Sequence, residues 1–343
     1  MRVAESLKIK LVGPTKEKAQ GKETESVPAY IAYLKGRSFL REGTEKSVHL
    51  AREQFQAAIK ADASYAKAYS GLADATVLLG DLLFSPVPAA LDEAAGYVKK
   101  ALSLDPQLAE ARVSLGVLHL FDYKFDEGER ELRMALETNP SYATGHHWYS
   151  MCMELFGRKD EALHQALIAE ELDPLSPRVA LTVFYRLIHH GKLDEAKKMI
   201  RKLEEIDRSS PLVDEAQMVH SFAMKDWDAA LVPLRRMMDS DPNDPYLDMD
   251  LAYIYAVTGK KEEAMKIVEK LKNIPEEQRV RGQLLALVYV GLGDIDGALD
   301  WIDYGISQKE FFISWTRGDP LFAPVRKTQR YWDLVKSAGL PVG

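Results

Sequence analysis

Between Gly157 and Pro177 the chain reads GRKDEALHQALIAEELDPLSP: a glycine-led polar turn, a stretch of interleaved apolar and charged residues, then a proline-bounded break. Similar stretches follow one another along most of the chain. Leu, Ala, Glu and Lys prevail in them and β-branched residues rarely cluster, so the pattern predicts helices rather than strands. The breaks are regular. Gly157 and Gly191 stand 34 residues apart, as do Gly259 and Gly293, with Lys225 in the slot between the two pairs. Ala162, Ala196, Ala230, Ala264 and Ala298 form an unbroken series at the same step. Pro106, Pro140 and Pro174 form a third series, which passes over Arg208 and resumes at Pro242. Three landmarks on one period mark an internal repeat.

Each landmark has a physical task. The glycine ends the first helix of a unit, where a left-handed backbone costs it nothing. The alanine lies early in the second helix, where a small side chain lets two helices approach. The proline, following Asp105, Asn139 or Asp173, stops the preceding helix and suits the start of the next. A unit is therefore helix, turn, helix, turn. Eight fit the chain, at about 29–65, 66–108, 109–142, 143–176, 177–210, 211–244, 245–278 and 279–312. The first carries extra residues around Arg41 to Thr44 and has Ala63 in place of the proline. The second carries an insertion from Phe84 to Pro88, which its two prolines predict to be a loop.

This pattern resembles the tetratricopeptide repeat (TPR), whose period is 34. The family's small residue in the first helix is matched by Gly36, Ala73, Gly116, Ser150, Ala252 and Ala286, and its preceding leucine or aromatic by Leu72, Leu115, Tyr149, Leu251 and Leu285. Bulky residues of the second helix are matched by Phe55, Val98, Leu132, Ile200, Leu234, Val268 and Ile302. The resemblance implies an all-α fold, a right-handed superhelical solenoid of about eight repeats with a C-terminal capping helix. Residues 28–312 form the array and 313–343 the cap, with Phe322, Val325, Trp332, Leu334 and Val335 available to cover the last unit. Residues 1–27 hold an amphipathic run (Val3, Leu7, Ile9, Leu11) and a polar linker, read either as a disordered tail or as the end of a preceding domain.

A finer resemblance rests on AYIAYLKGRSFL (Ala29–Leu40), NPSYATGHHWYSM (Asn139–Met151), ELDPLSP (Glu171–Pro177), RGDPLFAPVR (Arg317–Arg326) and AGLP (Ala338–Pro341). These are similar to a bacterial and archaeal TPR array that follows a nucleotide cyclase, a winged-helix DNA-binding domain or a TolB-like domain. None of those modules is present in these residues. Two functions are therefore expected: a non-catalytic scaffold for protein–protein interaction, or the regulatory, sensory part of a signalling protein whose effector lies upstream.

Charge and chemistry narrow the choice. A formal net charge of −7, from 45 Lys and Arg against 52 Asp and Glu, argues against nucleic acid, whose partners concentrate basic charge. No run of about 18 apolar residues exists to span a membrane. The single cysteine, Cys152, sits in an apolar run and reads as a buried inert thiol; with no disulfide framework the expected compartment is the cytoplasm. His146-His147 and His189-His190 invite a metal reading, but neighbours on a helix point about 100° apart and cannot chelate from one face. GLGD at Gly291–Asp294 lacks the Gly-Lys-Ser/Thr of a phosphate loop, and no G-x-S-x-G elbow appears. No catalytic, metal or cofactor residue is expected, and the chain is not read as an enzyme.

The resemblance further implies that the second, fifth, ninth and twelfth places of each first helix face a concave groove. In unit three these are Val113, Val117 and Leu120, and in unit four His147, Met151 and Glu154. Unit five offers Arg178, Leu181, Tyr185 and Ile188, and unit seven Tyr246, Met249, Tyr253 and Ala256. The set is largely apolar and lacks the cationic cluster that would capture a peptide carboxylate. The expected ligand is thus an apolar helix or extended segment of a protein or peptide partner. The alternative is that these residues pack against neighbouring units, since an apolar helical stripe is core by default. The oligomeric state stays open.

Overall fold

The 34-residue ruler is written into backbone geometry. In the computed structural model, which describes residues 24–81, 87–273, 282–310 and 313–342, Gly157, Gly191, Gly259 and Gly293 all adopt φ between +69° and +83°. Lys225 holds the same left-handed conformation (φ 57°) in the slot without a glycine, and Tyr123 (φ 61°) holds it one step before Gly157. At each position the next N–H reaches back five residues, as in Arg158 N to Met153 O (2.9 Å) and Asp226 N to Ser221 O (2.9 Å), so the last carbonyls of the helix are satisfied. The backbone thus keeps the turn even where the glycine is lost.

Among the described residues no strand occurs and eight helix pairs follow in order. They are α1 (Val27–Glu42) with α2 (Glu45–Ala61), α3 (Ala66–Asp81) with α4 (Val87–Leu104), α5 (Ala109–Phe121) with α6 (Phe125–Thr138), and α7 (Ala143–Leu155) with α8 (Lys159–Leu172). Then come α9 (Pro177–His189) with α10 (Leu193–Asp207), α11 (Pro211–Met224) with α12 (Trp227–Ser240), α13 (Pro245–Val257) with α14 (Lys261–Lys272), and α15 (Gly282–Leu292) with α16 (Ile295–Ser307). The chain ends in a short helix α17 (Ile313–Gly318), two 3₁₀ turns (Pro320–Phe322 and Val325–Lys327) and α18 (Gln329–Ser337). The amphipathic run at Val3–Leu11 lies outside the described residues, as does most of the insertion predicted as a loop. Its end departs from expectation: α4 begins at Val87 and takes Pro88 into its first turn, where a missing N–H is no loss.

The prolines sit differently from their predicted place. Pro106, Pro140 and Pro174 lie in the turn after a helix, where Asp105 and Asn139 accept from the backbone N–H two residues on (3.0 and 3.2 Å). A second series, Pro177, Pro211 and Pro245, starts the helices, each behind a capping Ser176, Ser210 or Asp244. Where Arg208 replaces the turn proline, Asp207 still closes the turn onto Ser209 N (2.9 Å).

Small and bulky positions interlock as the repeat requires. Ala162, Ala196, Ala230, Ala264 and Ala298 are all fully buried. A β-carbon at Gly36 would lie 2.6 Å from the Phe55 ring, and one at Gly116 2.8 Å from Leu132 Cγ. Each second-helix anchor therefore fills the notch left by a first-helix glycine.

The array does not stay an open ladder. Among the first helices, α1 packs on α3, α3 on α5 and α5 on α7, and α9 returns to touch α1. Arg41 Nε lies 3.3 Å from Asp173 across that closure. The C-terminal segment then folds into the concave side: α17 packs on α7, and α18 on α16. One buried cluster consequently joins Val117, Phe121, Phe125 and Met153 with Ile302, Phe322, Val325 and Val335. Tyr123 OH donates to Glu310 O (2.8 Å), and Lys309 Nζ pairs with Asp122 Oδ1 (2.6 Å). Repeats three and eight are thereby in contact, beyond the neighbour-on-neighbour stacking of a simple solenoid.

Candidate interaction site on the concave face

The concave face divides into two parts. In the part nearer the C-terminus the occupant is the chain itself. Gly318 ends α17 against the floor made by Glu154 and His189, and a β-carbon there would overlap Glu154 Oε1 and lie 2.6 Å from His189 Nδ1. That floor is a buried ionic group. Arg186 Nη1 lies 3.0 Å from Glu154 Oε2, His189 Nδ1 lies 2.9 Å from Glu154 Oε1, and Arg186 Nε donates to Ser150 Oγ (3.2 Å). Burial alone would push the Glu154 carboxyl up, but Arg186 and the His189 hydrogen bond overcome it and hold the group at about 2.

The segment is tied down on both flanks. Lys159 Nζ donates to Gly318 O (3.3 Å) and Arg317 Nη1 to Pro341 O (2.7 Å). Arg326 Nη1 spans Thr316 O (2.6 Å) and Asp319 O (2.8 Å), and Asp319 caps the first 3₁₀ turn through Leu321 N (2.8 Å). Leu321 packs on the cluster of Met249, Tyr253 and Ile254. Beside it Tyr185 OH donates to Glu215 Oε1 (2.5 Å), and burial pushes the nearby Asp250 carboxyl up to about 8.

The other part is a partly open chamber walled by the first helices of five units, α1, α3, α5, α7 and α9. Leu40, Val77, Val117, Trp148 and Val179 supply apolar wall. Arg37 Nη1 pairs with Asp74 (3.2 Å) and its Nη2 donates to Thr144 Oγ1 (3.2 Å), while Ser114 Oγ donates to Asp74 Oδ1 (2.6 Å). Burial pushes Asp74 up to about 6, with the Arg37 guanidinium opposing it. Arg178 adds a third guanidinium to the lining, and its side chain approaches Gly43 at the end of α1.

The predicted groove residues fall into three sets. Val117, His147 and Arg178 line the chamber. Val113, Leu120, Met249 and Tyr253 are buried in hydrophobic clusters, and Met151, Leu181, Tyr185 and Tyr246 are half-buried against the same clusters. Sequence reasoning missed Arg37, Leu40, Asp74 and Val77. The signal was available, because the ninth and twelfth places of units one and two fall on those residues. The expectation of a groove without clustered cations is corrected where α9 returns to α1. That closure brings Arg37, Arg41 and Arg178 to one chamber from positions more than a hundred residues apart in sequence.

The paired histidines part company on their helices. His146 meets Gln165 Oε1 (2.6 Å) and Pro140 O (3.0 Å), whereas His147 meets Thr182 (2.9 Å). His189 joins Glu154, and His190 meets Lys159 O (3.1 Å). Among the described residues no three His, Cys, Asp or Glu side chains are grouped to hold a metal ion, and no helix is long and apolar enough to cross a membrane. Cys152 is fully buried, and burial raises its thiol above the ordinary range.

Residues 221–282 match the family model described as tetratricopeptide repeat. The tetratricopeptide repeat-containing protein trd-1 of Caenorhabditis elegans is 26% identical over 200 residues, a match covering 56% of this chain and 25% of that protein. The chain thus spans about a quarter of that relative's length. Similar solved structures include a tetratricopeptide repeat protein from Parabacteroides merdae (15% identity, TM-score 0.49, 78% of this chain and 98% of that one). Yeast Tom70 is another (17% identity, TM-score 0.44, 98% of this chain and 75% of that one).

Proposed function

Taking the chain as a tetratricopeptide-repeat protein, an all-α superhelix of stacked helix pairs, we propose that it is a non-catalytic scaffold whose concave face holds a polypeptide segment of a protein partner. One observation carries this reading: the concave face already holds such a segment, the chain's own residues 316–322. That segment gives the chemistry the face accepts. A glycine presses on the Glu154–His189 floor, and an apolar side chain, Leu321, lies on the Met249 and Tyr253 cluster. Half-buried Leu181 and Tyr185 on α9 and Met151 on α7 offer further adaptable apolar surface on the first helices. Affinity capture from the native host with wild-type and Leu181→Asp chains, read by quantitative mass spectrometry, tests the proposal. Proteins enriched on the wild type should fall away on the variant while the two baits melt alike. Identical protein sets on both would refute it.

A second reading, a regulatory region behind an upstream effector, is favoured by α1. Val27, Ile31 and Leu34 are exposed on one face of this helix, the first of the described residues, and an exposed apolar helix face in a solenoid calls for cover. A tethered effector domain would supply it. Hydrogen exchange of α1 in the native full-length product, compared with the isolated chain, tests this: added protection supports it and unchanged exchange opposes it.

A further inference from the structure

Residues 316–321 cross the concave face as a bound segment would. Gly318 presses on Glu154 of α7 and His189 of α9, and Leu321 packs on the cluster to which α13 contributes Met249 and Tyr253. One short stretch thus meets the first helices of units four and five and the core of unit seven. Glu154, Met249 and Tyr253 are all places where the repeat pattern puts a groove.

The stretch is held less firmly than the chain on either side. Downstream, Phe322, Val325, Tyr331 and Val335 are buried in the apolar cluster shared with repeats three and eight. Upstream, Lys309 and Glu310 are fixed to Asp122 and Tyr123. Between these anchors the floor is ionic, with Arg186 and His189 on Glu154 at 3.0 and 2.9 Å. Covering apolar surface is favourable throughout, whereas covering an ion pair strips it of water for a gain that desolvation can cancel. Uncovering this floor returns it to water. The holds that remain are polar: Lys159 to Gly318 O, Arg317 to Pro341 O, Arg326 to Thr316 O and Asp319 O, and Thr316 Oγ1 with Tyr331 OH (3.0 Å). Each exchanges for a bond to water on opening, so its net value is small. Leu321 is only half-buried. Helix α17, Ile313–Gly318, is far shorter than a helix that persists alone, so its form depends on its seat.

We propose that residues 316–321 are a tethered competitor: the concave face takes from a partner a segment of the same chemistry, a glycine, an acidic residue and a leucine-sized side chain in the order of Gly318, Asp319 and Leu321, once this strap lifts. The glycine is set by the overlap that a β-carbon would make with Glu154. The acid is set by the turn, since Asp319 Oδ1 accepts from Leu321 N (2.8 Å). This rests on the scaffold reading and adds to it the partner's chemistry and a brake on its binding. A short tether holds its end at about 1 mM, so a partner with the same contacts loses at lower concentration unless it adds others.

Hydrogen exchange on the wild-type full chain reads the lifting. The amides of Arg317, Gly318 and Leu321 should be protected at least a hundredfold less than those of Leu132 and Leu234, fully buried helix residues that open with the whole fold. Equal protection overturns the proposal. A fluorescein-labelled peptide of residues 316–321 then probes the face by polarisation. The Gly318→Ala full chain, its own strap displaced, should bind the peptide saturably below about 1 mM and at least tenfold tighter than wild type does. Leu321→Asp, at a half-buried position, is a second opening variant with the same expectation. The peptide carrying Gly318→Ala should bind at least tenfold more weakly than the original. Equal affinity for the two peptides overturns the proposal, as does absence of saturable binding to a variant that still melts cooperatively. No host protein enters these measurements, so their failure strikes the tethered competitor alone, whereas identical capture by wild-type and Leu181→Asp chains strikes the scaffold reading.

Discussion

Gly318→Ala is a one-carbon change at the most crowded of the described glycines. The added methyl overlaps Glu154 Oε1 and lies 2.6 Å from His189 Nδ1. Neither neighbour can swing away, since both are buried and bonded to each other at 2.9 Å, and Arg186 holds the carboxylate at 3.0 Å. The helix α17 must lift instead. Lifting strains the Lys159–Gly318 and Arg317–Pro341 hydrogen bonds and loosens Leu321 from its cluster. Overpacking of this kind costs about 1–3 kcal/mol, and a weakened buried hydrogen bond adds about 1 kcal/mol. The expected loss is about 3 kcal/mol. Gly96→Ala is the control: nothing lies within 4 Å of a β-carbon there, and alanine inside a helix gains about 0.5–1 kcal/mol over glycine. Urea denaturation followed by tryptophan fluorescence measures both. If Gly318→Ala leaves stability within about 0.5 kcal/mol of wild type, the C-terminal segment is not seated in the concave face and the reasoning fails.

Other expectations follow from the same contacts. Lys225→Gly should stabilise the chain by about 0.5–1 kcal/mol by relieving a left-handed residue, whereas Tyr123→Gly should destabilise it by about 2 kcal/mol or more, because Tyr123 also bonds Glu310 O; equal responses in thermal melts would contradict this. Ala264→Leu should cost about 1–3 kcal/mol by overpacking, while Glu161→Ala at an exposed helix end should cost about 0.5 kcal/mol or less; comparable losses would displace the repeat register. Acid lowers stability through His147: its folded pKa of about 3 lies below its unfolded value, so between about pH 6.5 and 3 only the unfolded chain takes the proton, at up to about 1.4 kcal/mol per pH unit. Asp74, raised to about 6, works in the opposite sense between about pH 4 and 6. Asp74→Asn should therefore steepen the acid loss in urea titrations and His147→Phe should flatten it; unchanged slopes would refute both assignments.

The repeat was legible because its landmarks act locally. A left-handed turn, a small residue at a helix crossing and a capped helix start each leave a residue type at a fixed place, and those places recur every 34 residues. Substituted landmarks were legible only in part. Lys225 marks a turn that the backbone keeps, and Tyr123 goes unread because a tyrosine carries no turn signal. Its side chain reaches Glu310 instead, which accounts for the residue. The helix-starting prolines at Pro177, Pro211 and Pro245 lay on the ruler in plain view, yet the turn prolines drew the inference that belonged to them. Closure was not legible. Nothing in Arg41 and Asp173, or in Lys309 and Asp122, marks them as partners, because superhelical pitch sums small rotations over several repeats. The chamber inherits that difficulty, since its walls come from five units and exist only once α9 meets α1.

Carbodiimide crosslinking of the monomeric fraction, read by peptide mass spectrometry, tests the closed architecture most directly. Lys309 and Asp122, 187 residues apart, are 2.6 Å apart in space and should be joined. Lys270 and Asp248, 3.1 Å apart within one repeat, report that the chemistry worked. Recovery of both crosslinks is the predicted result; the Lys270–Asp248 crosslink without the Lys309–Asp122 one would mean that the array is open and its concave face empty.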